Sequence, residues 1–270
     1  MTPMAQKLSN QDWDQLAAGS AKFSQGEYEN ALAILSFLQS RTTDPQEIAT
    51  VLLGEAQCYR LLERFVEAHA ACDRALDLSK GNEEGTVSGW IAKTDILVDQ
   101  NRLADAHSVI EASLRRHPIV NRSEQLRRKA DILVRQGREA EAIPILNQLL
   151  AAPGLEEPEI AAVHHTIGVS YGALGNLGEA TDHLLKAQSL QLSASYSASN
   201  RFWLASIMAK QRDFMAAKKH LLNALAQAEH SNTDLLVDIY ESLANVSREL
   251  GDERDAARFW HLWKAAREKQ

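Results

Sequence analysis

One alanine recurs along this 270-residue chain at nearly constant intervals of 36 to 39 residues. The seven positions are Ala31, Ala68, Ala106, Ala142, Ala180, Ala217 and Ala256. A fixed period of this length is typical of repeat proteins, in which each unit packs mainly against its neighbours. The period therefore predicts an array of one structural unit written seven times, rather than a globular domain.

Each alanine has the same kinds of residue around it. A small residue lies twelve positions earlier, at Gly19, Ala56, Thr94, Ala130, Gly168, Ala205 and Ala244. An apolar residue lies four positions later, at Leu35, Cys72, Ile110, Leu146, Leu184, Leu221 and Trp260. These offsets predict two helices, A and B, whose backbones approach closely while the apolar residue fills the seam between them. In the fifth repeat we expect the methyl group of Ala180 to face Gly168.

A third position predicts the turn between the two helices. Five residues before each alanine stand Gly26, Glu63, Asn101, Gly137, Gly175, Arg212 and Gly251. Glycine and asparagine tolerate the left-handed backbone that commonly ends a helix. An acidic residue directly precedes five of the seven alanines, early in helix B, where the helix dipole favours negative charge. Each unit is therefore predicted to be a helix-turn-helix hairpin.

These spacings resemble the tetratricopeptide repeat (TPR). The best matches are Ile167-Gly168, Tyr171, Gly175 and Glu179-Ala180, followed by Leu52, Ala56, Tyr59 and Glu67-Ala68. The resemblance covers residues 12 to 268, although the period exceeds the roughly 34 residues usual in that family. It implies an all-α solenoid of about seven repeats in a right-handed superhelix. The expected repeats, within a single domain 1–270, are 12–48, 49–86, 87–122, 123–160, 161–197, 198–236 and 237–270.

The resemblance also implies a function. TPR proteins are scaffolds without enzymatic activity, and their A helices line a concave groove that holds a peptide or protein segment. The residues of this chain at the groove-facing positions of the family's A helices are therefore candidate partner-binding residues. They are Arg60, Asp95, Asp99, Arg127, Asp131, Arg135, His165, Phe202, Ser206, Lys210, Asn245 and Arg248.

The fourth repeat holds the densest basic cluster, and two interpretations of it stay open. Arg127, Asp131 and Arg135 follow one another at four-residue spacing, so they share one face of a helix. They form either an intrahelical ladder of ion pairs or a site for a carboxylate-bearing peptide. An alternative function is an adaptor that binds an anionic ligand, nucleic acid or polysaccharide, through this repeat. The net charge of −7 disfavours nucleic acid.

Other chemistry is not predicted. The sequence contains no HExxH, CxxC, Walker or GxSxG motif, so we expect no enzyme, cofactor or metal. His164 and His165 are adjacent and point in different directions on a helix, His165 towards the groove and His164 towards neighbouring helices. Cys58 and Cys72 are interpreted as buried small hydrophobes, with a disulfide as the alternative. Of Phe202 and Trp203, either one faces the groove or both pack between repeats.

The two ends of the chain complete the expectations. The segment MTPMAQKLSN has no apolar core of the signal-peptide type, and no run of 18 apolar residues occurs. We therefore expect a cytoplasmic protein that does not enter a membrane. Trp260, Leu262 and Trp263 in the last repeat predict an exposed apolar surface for self-association or a partner, unless neighbouring basic residues make that face polar enough.

Overall fold

The computed structural model describes residues 6–190, 194–228 and 233–268. Every regular element in these ranges is an α-helix, and the helices number two for each period of the sequence. They are α1 (Asn10–Ser24), α2 (Tyr28–Arg41), α3 (Pro45–Leu61), α4 (Phe65–Leu78), α5 (Glu83–Asp99), α6 (Leu103–Arg116), α7 (Arg122–Arg135), α8 (Glu139–Leu150), α9 (Glu157–Ala173), α10 (Leu177–Ser189), α11 (Ala194–Lys210), α12 (Phe214–Ala228), α13 (Thr233–Glu249) and α14 (Glu253–Arg267). The predicted all-α, TPR-like class is confirmed.

The chain divides into two compact units, Met1–Gly137 and Arg138–Gln270, which we call unit 1 and unit 2. In unit 1 the odd-numbered A helices α3, α5 and α7 pack side by side, and each of α2, α4 and α6 packs against the helices before and after it. In unit 2 the A helices α9, α11 and α13 form the corresponding row. Each unit therefore presents its own surface of successive A helices.

All seven predicted turn positions have the left-handed backbone. Their φ angles run from 56° at Asn101 to 82° at Gly175. At Glu63, for example, the amide donates to the carbonyl of Arg60 at 3.0 Å, and the next amide donates to the carbonyl of Tyr59 at 2.8 Å. This pair of bonds is the Schellman motif, which satisfies the last carbonyls of helix A and reverses the chain into helix B. The turn chemistry was therefore readable from sequence.

Two of these turns carry a side chain that disfavours the left-handed region. Glu63 has φ 58° and Arg212 has φ 66°. A non-glycine residue pays about 1–2 kcal/mol in this conformation. We expect Glu63→Gly and Arg212→Gly each to raise the free energy of unfolding by about 1 kcal/mol in urea denaturation. Gly175→Ala, at φ 82°, is the reverse control and should lower it; a gain from Gly175→Ala would contradict the backbone argument.

The recurring alanines lie in the seams between helices, as predicted. Six of the seven are fully buried, and Ala256 is 5% exposed. The register needs one refinement in the fifth repeat. Of the atoms of Ala180 it is the carbonyl oxygen that lies nearest that glycine, 3.1 Å from a Cβ built on Gly168, with Leu184 closer still, and the Ala180 methyl lies toward Gly172. The contacts at Gly168 leave no room for a larger residue, whereas the Ala180 methyl makes an ordinary contact of 3.8 Å with a Cβ built on Gly172.

The last repeat departs from the predicted seam. Trp260 was expected to fill it, but this side chain is 42% exposed and stacks on Trp263 with 4.6 Å between ring centroids. The preceding residue, Phe259, is 2% exposed and belongs to the core of unit 2. The seam in this hairpin is therefore occupied three rather than four residues after the alanine, positions that are close neighbours around helix B.

Candidate partner-binding surfaces

In unit 1 the expected binding residues are joined to one another across the repeats. Arg60 on α3 forms an ion pair with Asp99 on α5. Asp95 on α5 is paired with Arg128 on α7, with 2.6 Å from Oδ1 to Nε and a hydrogen bond of 3.1 Å from Nη2 to Oδ2. Both side chains of this second pair are largely buried, at 15% and 22% exposure. These ion pairs connect neighbouring repeats.

Burial decides the protonation chemistry of Asp95. Desolvation raises the pKa of its carboxyl group, and the charge and hydrogen bond of Arg128 act in the opposite direction. The carboxylate consequently depends on its guanidinium partner to remain charged in this site. The first role of Asp95 is therefore to pair with Arg128 within the protein, and contact with a ligand is secondary.

The basic cluster of the fourth repeat is also paired. Arg127 donates two hydrogen bonds to Glu124, at 2.7 and 2.9 Å, and Arg135 donates to Asp131 at 3.0 Å. Lys129 forms an ion pair with Glu111 on α6. Of the ladder predicted from Arg127 to Asp131 to Arg135, the pair between Asp131 and Arg135 is formed, and Arg127 also binds Glu124 one turn earlier in α7. Pairing with acids reduces the positive field that an anionic ligand would meet.

Unit 2 presents a different set of charges on its A helices. Lys210 and Arg248 are exposed and stand in the last turns of α11 and α13. In the part of the chain that the structure describes, neither has a carboxylate within 4 Å, and the Lys210 ammonium contacts only the carbonyl of Gly172, at 3.5 Å. Asn245, also exposed, lies one turn before Arg248 on α13. The negative end of each helix dipole helps to hold these cations without an acidic partner.

Ser206 is the fourth polar residue of this row, and it is the least available. Its hydroxyl donates to the carbonyl of Phe202, one turn earlier in α11, at 3.0 Å. The hydroxyl oxygen keeps its acceptor capacity and can donate elsewhere after rotation. We call Ser206, Lys210, Asn245 and Arg248 the unit 2 polar row.

His165 does not face an open groove, contrary to expectation. It is only 8% exposed, its Nδ1 lies 3.0 Å from the Asn200 side-chain oxygen, and its ring meets Tyr196 edge-on at 5.7 Å. Asn200 in turn donates to the carbonyl of Leu184 at 2.9 Å. The sequence placed His165 on the correct helix face, but α11 packs over that face and satisfies the imidazole internally.

The adjacent aromatics Phe202 and Trp203 both pack between repeats. Phe202 is partly buried against the core shared by α11 and α13, and Trp203 against the core of α10 and α11. The two rings touch edge to face at 6.1 Å. Of the two alternatives left open, packing between repeats describes both side chains.

His164 faces a neighbouring helix, as predicted, and forms a histidine pair that sequence reasoning missed. Its Nδ1 lies 3.0 Å from Nδ1 of His183 on α10. Desolvation lowers the pKa of both rings, and each feels further positive charge nearby. Desolvation also lowers the pKa of His165 and of His220. These four imidazoles of unit 2 therefore favour the neutral form.

These histidines predict acid sensitivity. A histidine whose pKa is lower in the folded than in the unfolded state binds fewer protons when folded. Stability is then complete above the unfolded pKa of about 6.5 and falls as the pH drops below it. We expect the free energy of unfolding to decrease between pH 7 and pH 5, by at most about 1.4 kcal/mol per pH unit for each such histidine. Urea unfolding of His164→Gln/His183→Gln should give a smaller decrease; an unchanged pH dependence would exclude this pair as a cause.

Few other groups in the described ranges suggest chemistry. No group of three or more potential ligands among His, Cys, Asp and Glu could hold a metal there. Cys58 and Cys72 are free and buried, and burial raises the pKa of their thiols to about 11 and about 12, which makes both unreactive. None of the helices in these ranges combines the length and the apolar character needed to cross a membrane.

One cavity stands out that sequence reasoning did not identify. It lies between α1 and α3 in unit 1, has a volume of about 340 Å³, and has apolar walls that include Leu16, Phe23 and Leu35. Gly54 lines it from α3, at a position where any side chain would begin against Leu35. The sequence signal for the cavity was Gly54, a glycine in the interior of a helix.

The fold and these surfaces define a helical-repeat interaction scaffold, and comparison with known proteins identifies which kind. A family model described as the SusR N-terminal TPR domain matches residues 106–235, and a tetratricopeptide repeat model matches residues 16–83. The chain belongs to the tetratricopeptide repeat family. No curated protein matches the sequence.

Solved structures share the fold at low sequence identity. A signal transduction ATPase with a tetratricopeptide repeat sensor from Pyrococcus horikoshii has a TM-score of 0.75 at 14% identity, over 94% of this chain and 42% of that one. PilW, a type IV pilus biogenesis factor, has a TM-score of 0.67 at 18% identity, over 81% of this chain and 93% of PilW. A tetratricopeptide repeat protein from Parabacteroides merdae has a TM-score of 0.65 at 12% identity, over 95% and 94% of the two chains. At these identities the likeness concerns the fold alone.

Proposed function

We propose that this protein is a non-enzymatic interaction scaffold whose unit 2 polar row binds a carboxylate-bearing segment of a partner protein. One observation carries the proposal. Lys210 and Arg248 have no acidic partner within 4 Å in the described ranges, whereas Arg60, Arg128 and Arg135 in unit 1 are each paired with an acid. Cations left without partners on successive A helices are available to a ligand.

The chemistry of the row suits a carboxylate. A guanidinium presents parallel N–H donors that match the two oxygens of a carboxylate, and an ammonium adds a point charge. The amide of Asn245 can donate to a carboxylate or accept from a peptide N–H, so it can fix the direction of a bound backbone. These side chains stand on α11 and α13, which pack against each other, so the scaffold holds them in place before a partner arrives.

The remaining residues on the expected face have a different proposed role. In unit 1 the paired side chains Arg60, Asp95, Arg127, Asp131 and Arg135 offer both signs of charge in fixed positions. We assign them to the selectivity of a partner rather than to its attraction, because a like charge placed opposite any of them is unfavourable. His165 and Phe202 are assigned to supporting the unit 2 surface from beneath.

The test compares two double variants that remove the same charge. Lys210→Ala/Arg248→Ala removes the row, and Lys219→Ala/Arg254→Ala removes two exposed cations from the B helices of the same unit. Each purified protein is used to capture partners from a lysate of the source organism, and the captured partner's affinity is then measured by calorimetry. We expect the row variant to bind about 10- to 100-fold more weakly, the range for losing desolvated, charge-assisted contacts.

The control variant should bind as the unaltered protein does, and both should melt within a few degrees of it, because exposed charges contribute little to folding. If both variants bound the partner more weakly by the same factor, the loss would be an effect of net charge rather than of the row. If the row variant kept full affinity, the unit 2 polar row would not be part of the binding site.

A further inference from the structure

We infer that His164 on α9 and His183 on α10 form a binding site for one divalent transition-metal ion, held between their Nδ1 atoms. These atoms are 3.0 Å apart, and the two rings are tilted by 53° with 5.1 Å between centroids. Two Zn–N bonds of about 2.0–2.1 Å at a tetrahedral angle need about 3.3 Å between the nitrogens, so a small rotation of the rings admits the ion. Sequence motifs gave no expectation of a metal, because the histidines are nineteen positions apart on different helices.

The histidines occupy a pair of positions that is apolar or aromatic in most other repeats. These positions lie sixteen residues before and three residues after the recurring alanine. The equivalent pairs are Leu52 and Ala71, Trp90 and Val109, Leu126 and Ile145, and Tyr240 and Phe259. Apolar side chains pack in such a seam without needing hydrogen bonds, whereas half-buried imidazoles lose part of their hydration. The fifth repeat therefore gives up apolar packing to bring two ring nitrogens together, and metal binding accounts for that exchange.

Two Nδ1 atoms that face each other need either a proton or a metal ion between them, because two lone pairs repel. Without a metal, one ring carries a proton on Nδ1 and donates it to the lone pair of the other. With a metal, both Nδ1 atoms are ligands, and the ring that held its proton on Nδ1 carries it on Nε2 instead. Burial lowers the pKa of both rings, so the pair is in the neutral form that a metal requires.

The surroundings make this an open site with two protein ligands. No third His, Cys, Asp or Glu among the described residues joins the pair, so water completes the four-coordinate shell. On α10 the exposed Lys186 opposes a cation at both rings, and the exposed Asp182 favours one at His183. Tyr171 on α9 lies beside His183, with 5.8 Å between ring centroids, and limits its movement on that side. Imidazole ligands suit zinc, copper and nickel, and zinc is the probe without redox chemistry.

The sixth repeat supplies a matched control. Its equivalent residues are Arg201 on α11 and His220 on α12. As in the histidine pair, burial lowers the pKa of His220, and its Nδ1 is buried without a hydrogen-bond partner among the described residues. A guanidinium has no lone pair to offer a metal, so this repeat has one potential ligand where the fifth has two. His220→Gln therefore removes an imidazole from the same seam position without touching the proposed site.

The test is calorimetric titration of zinc chloride into the full chain, prepared without a histidine tag and freed of metal by a chelator. We expect His164→Gln/His183→Gln to bind one equivalent of zinc fewer than the unaltered chain. Each single variant should bind that zinc at least about tenfold more weakly, because losing even an outer partner of a metal ligand costs about 10–100-fold in affinity. His220→Gln should bind zinc as the unaltered chain does. So should Lys210→Ala/Arg248→Ala, which separates this site from the unit 2 polar row.

Nuclear magnetic resonance of the unaltered chain, with ¹⁵N-labelled histidine, gives a second measurement that holds even if a variant fails to fold. On addition of zinc, the Nδ1 signals of His164 and His183 should shift together, and both rings should carry their proton on Nε2. The ring signals of His220 should stay in place. The melting temperature should rise with zinc concentration, because an ion that binds only the folded chain stabilises it. Absence of zinc binding, unchanged zinc binding in the double variant, or metal bound at Nε2 would each overturn the inference.

Discussion

Replacing Gly168 with alanine should lower the free energy of unfolding by about 1–3 kcal/mol, the usual cost of overpacking a filled core. A Cβ at this position would stand 2.7 Å from Cγ of Leu184 and 3.1 Å from the carbonyl oxygen of Ala180. The Leu184 side chain is fully buried, and the carbonyl belongs to the backbone of α10. Because neither neighbour has room to retreat, helices α9 and α10 would have to separate.

The control for this substitution is in the same hairpin. Gly178 is exposed in the first turn of α10, and a Cβ built there meets no atom within 4 Å. Gly178→Ala should therefore stabilise the protein by about 0.5–1 kcal/mol, from helix propensity alone. Urea unfolding followed by circular dichroism measures both changes. Two shifts of the same sign would contradict the close helix contact at Gly168.

Replacing Arg128 with methionine should cost about 2–4 kcal/mol, because it leaves the carboxylate of Asp95 largely buried without its partner. Arg127→Met, which breaks an exposed pair one residue away, should cost less than about 1 kcal/mol. The double variant Asp95→Leu/Arg128→Met should recover most of the loss, since well-packed apolar residues often replace a buried ion pair without penalty.

Urea unfolding of the unaltered protein, Asp95→Leu, Arg128→Met and the double variant gives a complete double-mutant cycle for the Asp95–Arg128 pair. Arg127→Met is unfolded alongside them as the control. A loss in Arg128→Met no greater than in Arg127→Met would mean that water solvates Asp95 when its partner is absent. In that event the pair would not connect α5 to α7 energetically, and the structural role assigned to Asp95 would be wrong.

The local architecture could be predicted from the sequence because it depends on residues close together in the chain. Two positions in each repeat indicate a local constraint. Glycine or its substitute at the turn indicates a left-handed φ, and alanine at the seam indicates a close helix contact. These constraints repeat at a fixed period, so one ambiguous turn, such as Arg212, is resolved by its six equivalents. The exception at Trp260 and Phe259 arises where two adjacent aromatic residues compete for one seam position.

The candidate sites were less predictable, because they depend on contacts between residues more than thirty positions apart. The helix face of Arg60 and Asp95 was readable, but their engagement with Asp99 and Arg128 follows from how successive A helices approach each other. His165 was lost from the expected surface for the same reason, since Asn200 on the next A helix covers it. A repeat pattern shows which face of its helix a side chain occupies. It does not show which residue of the neighbouring repeat that side chain contacts.

The most direct test of the central claim is a double-mutant cycle between this protein and a captured partner. On the protein side Lys210→Ala/Arg248→Ala removes the two cations, and on the partner side the acidic residues of the bound segment are changed to Asn and Gln. If a carboxylate lies in the unit 2 polar row, calorimetry should give a coupling free energy of about 1–3 kcal/mol between the two changes. Strictly additive losses would contradict the account, because they would mean that these cations and those carboxylates never meet.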